Sequence, residues 1–133
     1  MEEAIAWLSN AFGFAEHYRY GNPLSGAQMK AENAWIMLKQ LKPEGRTPGE
    51  LGFGTQSLTV FVEDLETHFA RAREAGVTLE ENLHETVYGE FQYAARDLDG
   101  HHWLFSRHAR DLSPDQWGAV VARADLSTGR QKA

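Results

Sequence analysis

Two stretches of this chain run through the same order of elements, and that repetition constrains the fold more than any single residue does. In the first, Ala4, Ile5, Leu8, Ala11 and Phe12 form a helical stripe over residues 2–12, with Gly13 placed to end it. Extended segments follow at 14–20, 28–32 and 34–39, separated by Gly21-Asn22-Pro23 and Glu32-Asn33. In the second, Ser57 to Val62 alternates as a strand and Asp64 can cap a helix in which Leu65, Phe69 and Ala72 recur at i, i+4 and i+7 before Gly76. Val77 to Leu83 and the segments 91–95 and 102–105 supply three further strands. One stretch reads αβββ and the other βαβββ, which points to two copies of one module.

The last pair of strands carries the strongest local signal. Asp97-Leu98-Asp99-Gly100 is a turn sequence: the first Asp can accept from N–H groups two residues on, and Gly100 can take the positive φ that closes the loop. Side chains alternate on the outgoing strand, so His101, Trp103 and Phe105 leave one face and His102, Leu104 and Ser106 the other.

This stretch, YGEFQYAARDLDGHHWLF, with its tyrosine-glycine opening, Asp-x-Asp-Gly-His turn and Trp-x-Phe strand, resembles the closing hairpin of the vicinal-oxygen-chelate superfamily. That is the glyoxalase, bleomycin-resistance and extradiol-dioxygenase group, and the likeness is nearest to its bleomycin-resistance-like and PhnB-like branch. The resemblance spans roughly residues 3 to 107. It implies an α+β fold of paired βαβββ modules forming one curved sheet around a cleft, with the first strand of module one missing because only Met1 precedes the helix. An edge left without that strand would need another segment or subunit beside it.

Within a single domain over 1–133, module one should span 2–40 and module two 57–107. The intervening 41–56, with Pro43, Gly45, Pro48, Gly49, Gly52 and Gly54, has the composition of a mobile connection in which Phe53 alone could cover a pocket. Ser113-Pro114-Asp115-Gln116 opens a C-terminal helix expected over 113–124, and 125–133 should form a frayed tail.

Composition removes several classes of function. A net charge of −6 without a Lys/Arg cluster argues against nucleic acid, which demands a basic patch. With no cysteine there is neither a disulfide nor a thiolate ligand or nucleophile, and no apolar run is long enough to span a bilayer, so a cytoplasmic protein is the expectation. Phosphate-loop, dinucleotide-binding and zinc-protease motifs are absent, and no cofactor is expected.

The resemblance also says where a metal would be held, at the centres of the first and last strands of each module. Here those positions fall on Met37, Ser57 and Leu104. A thioether, a hydroxyl and an alkyl group are poor or impossible ligands for Zn²⁺, Ni²⁺ or Fe²⁺, so no metal is expected. What the resemblance leaves is an aromatic and apolar cleft lined by Trp35, Met37, Lys39, Ser57, Thr59, Phe61, Tyr93, His102, Leu104 and Ser106. Such a wall suits a flat or amphipathic organic ligand held by a homodimer. Two other readings stand beside it: a glyoxalase-like lyase, isomerase or dioxygenase using His102 and Glu90 as an acid–base pair, and an interaction domain that uses the fold as a dimerising scaffold, with the missing first strand supplied in trans.

Overall fold

The computed structural model describes residues 1–122. Helix α1 (Glu2–Phe12) buries Ile5, Leu8, Ala11 and Phe12, the stripe expected from spacing. It ends in an αL cap, Gly13 at φ +72° donating its N–H to Ser9 O at 3.2 Å, with Phe14 N–H donating to Leu8 O at 3.3 Å. Strands β1 (Ala15–Tyr20), β2 (Gly26–Ala31) and β3 (Ala34–Lys39) follow as an antiparallel sheet in that order.

Module two comprises β4 (Ser57–Phe61), α3 (Leu65–Glu74), β5 (Thr78–Glu85), β6 (Glu90–Arg96) and β7 (His102–His108). Asp64 caps α3 by accepting from Thr67 N–H at 3.2 Å and from the Thr67 hydroxyl at 2.8 Å. Its sheet is ordered β4-β7-β6-β5, with β4 parallel to β7 and the other pairs antiparallel. In module two the strand before the helix therefore flanks the last strand. The matching place beside β3 holds no strand among the described residues.

One carboxylate organises the β6–β7 turn. Asp97 Oδ1 accepts from Asp99 N–H at 3.0 Å and His101 N–H at 2.9 Å, while Oδ2 accepts from Trp103 Nε1–H at 2.9 Å. Gly100 sits at φ +87°, and its Cα is packed so closely on the linker that a Cβ would stand 2.5 Å from Gly49 N.

That contact corrects the picture of a mobile linker. Residues 41–56 include a short helix α2 (Pro48–Leu51), whose capping box pairs Thr47 with Glu50. Gly49 N–H donates to Asp99 O at 2.9 Å, docking the linker on the turn. A Pro/Gly-rich composition here serves close packing.

The C-terminal helix expected over 113–124 is also corrected. It is one 3-10 turn, Pro114–Trp117, because Gly118 adopts φ +100° and breaks the ladder. Residues 119–122 have no regular structure, and the rest of that helix and the 125–133 tail lie outside the described residues.

The modules meet chiefly through α1 and α3. Phe12, from module one, packs its ring 4.7 Å from Phe105 and 5.7 Å from Trp103, both on β7. Phe12, Phe14, Tyr93, Phe105, Met29 and Leu65 are the largest fully buried side chains. Truncating such an aromatic costs about 3–5 kcal/mol, so this one core ties both modules into a unit.

Candidate functional site

Each sheet turns one face to the helices and leaves the other open. On sheet two the register puts Ser57 beside His102, Thr59 beside Leu104 and Phe61 beside Ser106, six residues on the open face. Phe61 is 62 % exposed there; Gln92, Ala94 and Arg96 of β6 share the face, but Gln92, Ala94 and Ser106 are buried on it and only Arg96 of the three β6 residues is exposed.

Tyr93 does not belong to that set. It lies opposite Phe105, on the helix side, and is fully buried. Its hydroxyl lies 2.6 Å from His68 Nδ1, and His68 Nε2 lies 2.9 Å from the Phe12 carbonyl. A carbonyl can only accept, so Nε2 carries the proton and Tyr93 O–H donates to Nδ1. Burial, reinforced by Arg71, holds the His68 imidazole below its ordinary pKa, and burial raises the Tyr93 phenol. Tyr93 is a tie between modules; alternation alone could not say which face β6 turned inward.

The acid–base pair also needs correcting. Glu90 lies opposite His108, six residues along from His102, roughly 20 Å at strand rise. The carboxylate that meets His102 is Glu80, which reaches across β6 to place Oε1 2.8 Å from His102 Nδ1. Its other oxygen lies 3.5 Å from Arg96 Nε. Register breaks in β5 on either side of Glu81 set this up, and nothing in the spacing of the sequence announces them. Further along the same face, Gln92 Oε1 accepts from Tyr88 O–H at 2.8 Å and from the Ser106 hydroxyl at 3.4 Å.

On sheet one the open face carries Trp35, 50 % exposed, Met37, 48 % exposed, and Lys39. It is more aromatic than the sequence reading allowed. Tyr18 O–H approaches Met37 Sδ at 3.8 Å, the His17 ring stands edge-on to Trp35 at 5.3 Å, and Lys30 Nζ lies 4.8 Å above the Trp35 ring. A break in register between Glu16 and Tyr18 brings His17 into this group, and alternation along β1 and β2 would have found Tyr18 and Gln28. Phe53, 62 % exposed, precedes Gly54, whose backbone lies against the His102 ring.

Of the sequence-predicted residues, Trp35, Met37 and Lys39 share one wall, and Ser57, Thr59, Phe61, His102, Leu104 and Ser106 share the other. The two walls belong to different sheets. A hollow of about 630 Å³ adjoins the end of the first wall and lies apart from the second, between α1, the end of β3, the linker and the β6–β7 turn. It reaches the predicted set only at Met37 and Lys39.

The family metal does not fit this donor set. Met37, Ser57 and Leu104 offer no strong ligand, and among the described residues no three His, Cys, Asp or Glu side chains converge.

Paired modules, each with its helix against one face of its sheet, define the class: a two-module α+β protein. The chain belongs to the glyoxalase/bleomycin resistance protein/dioxygenase superfamily, whose family model matches residues 1–105. It is 27 % identical over 127 residues to a Mycobacterium bovis protein designated Mb0911c, covering 90 % of this chain and 84 % of that one. TioX from Micromonospora sp. ML1 has a similar structure, with TM-score 0.66 and 28 % identity over 84 % of this chain and 90 % of its own. A superfamily domain from Frankia sp. EAN1pec shares the fold at TM-score 0.63 and 20 % identity, covering 81 % of this chain and 88 % of that domain. No described helix is long and apolar enough to cross a membrane.

Proposed function

We propose that this protein binds a flat, amphipathic organic molecule without metal and without changing it, as a homodimer in which the aromatic wall of one protomer faces the polar wall of its partner. The observation behind this is the exposure of the two open faces. Trp35, Met37 and Phe61 stand about half or more in solvent on otherwise ordered strands, where a lone domain gains nothing from them. Trp35 and Tyr18 offer a stacking surface, and Glu80, His102 and the exposed Ser57 and Thr59 offer polar groups to orient what is stacked. A thermal-shift and calorimetric screen against aromatic, cationic and glycopeptide compounds, bleomycin among them, tests the reading. Stabilisation that disappears in Trp35→Ala supports it, and no stabilisation by any compound counts against it.

The Glu80–His102 contact favours a second reading, an acid–base enzyme. A carboxylate on Nδ1 fixes the ring and leaves Nε2 free to move a proton. Turnover of a screened compound that persists in His102→Ala would remove it.

A further inference from the structure

We infer that the aromatic wall of sheet one selects a planar organic anion, an aromatic carboxylate or sulfonate that stacks on Trp35 and pairs with the ammonium groups of Lys30 and Lys39. The inference rests on the binding reading above and adds the charge of the ligand.

Register lays the wall out in three rungs. Trp35 of β3 faces Lys30 of β2; Met37 faces Gln28, which faces Tyr18 of β1; and Lys39 faces Gly26, which faces Tyr20. Successive rungs are two residues apart, roughly 7 Å at strand rise, so Trp35 and Lys39 bracket a strip roughly 13 Å long on which a fused-ring system can lie flat. The middle rung is held level by Met37 Sδ, which accepts from Tyr18 O–H at 3.8 Å and from Gln28 Nε2–H at 3.6 Å. The third rung depends on glycine. A Cβ on Gly26 would collide with the Tyr20 hydroxyl and ring, which lie across β2 towards Lys39. Gly26 is buried there while Tyr20 stays 40 % exposed, so the ring adds a second aromatic surface to the strip.

The two ends of the strip carry charge of one sign. Lys30 Nζ lies 4.8 Å from the centre of the Trp35 ring, and Lys39 closes the other end. Among the described residues no carboxylate shares this face. Glu16 lies opposite the buried Met29, on the helix side, where Arg19 ties it to Glu2 of α1. Glu32, in the β2–β3 turn, reaches away to accept from Glu63 N–H at 3.2 Å. The net charge of −6 therefore lies elsewhere on the chain. A cationic ring stacking on Trp35 would have to expel Lys30 against like charge, whereas an anionic ring meets that ammonium as a partner. On the other wall, Glu80 is already engaged by His102 and Arg96.

Calorimetry near neutral pH with 2-naphthoate, 2-naphthamide and 2-(aminomethyl)naphthalene varies the charge at constant ring shape. The expected order is naphthoate tightest, about fivefold or more over the amide, with the ammonium compound weakest. Raised salt should weaken naphthoate and leave the amide unchanged. Lys30→Gln combined with Lys39→Gln, both exposed positions, should bring naphthoate down to the amide, and Trp35→Ala should weaken all three. An equal or reversed order, an order that persists in the double lysine variant, or naphthoate binding indifferent to Trp35→Ala overturns the inference. Compounds that bind through Trp35 without regard to charge leave the flat-ligand reading standing and remove only the anion selectivity. Binding of none of the three at millimolar concentration removes both.

Discussion

His68 offers the most direct test of how the modules are held together. It sits on α3 of module two, donates from Nε2 to the carbonyl of Phe12 in module one, and accepts from Tyr93 at Nδ1. His68→Phe keeps a ring against Phe105, now 4.3 Å away centroid to centroid, but removes both hydrogen bonds. Phe12 and Tyr93 are fully buried, so a carbonyl and a hydroxyl are left without these partners. At about 1–2 kcal/mol for each orphaned group the loss is about 2–4 kcal/mol. For a domain of this size that is roughly 7–15 °C in Tm, read by calorimetry. Adding Tyr93→Phe removes one orphan and should restore about 1 kcal/mol or more. The pH dependence has a definite sign. A folded pKa held below the unfolded value means that the unfolded chain binds more protons below about pH 6.5. Stability from this group is therefore full above that pH and is lost as pH falls towards the folded pKa; His68→Phe should flatten that slope. A Tm change under about 3 °C, or a double variant less stable than His68→Phe, would refute the account.

Gly100→Ala puts a Cβ at positive φ against Gly49 N, so it should destabilise the protein by about 1–2 kcal/mol and undock the linker; faster limited proteolysis within 41–56 is the check. Trp35→Ala should change Tm by less than about 2 °C, because the ring is half in solvent, yet weaken binding of any ligand found by about 2 kcal/mol, near thirtyfold in calorimetry. Dialysis against a chelator should leave Tm and ligand affinity unchanged, since Met37, Ser57 and Leu104 make a poor donor set for Zn²⁺, Ni²⁺ or Fe²⁺; a drop of several degrees would reveal a metal held elsewhere.

Local chemistry settled much of this protein before any tertiary contact was known. The α1 stripe, the Asp64 cap and the Asp97–Gly100 turn each depend on neighbours within a few residues, and each appears in the structure as spacing implied. The alternation of β7 against β4 likewise sorted His102, Leu104 and Ser106 onto one face with Ser57, Thr59 and Phe61. Spacing is silent on which strand neighbours which, and with what slip. The register of β6 on β7 turned Tyr93 inward and carried Glu90 away from His102, and the breaks in β5 brought Glu80 to it from two strands off. The docked linker and the helix stopped at Gly118 belong with these. A repeat period is written in the chain because helices and turns form over short range. Partners across a sheet are chosen by packing and hydrogen bonding over long range, and only the folded molecule decides them.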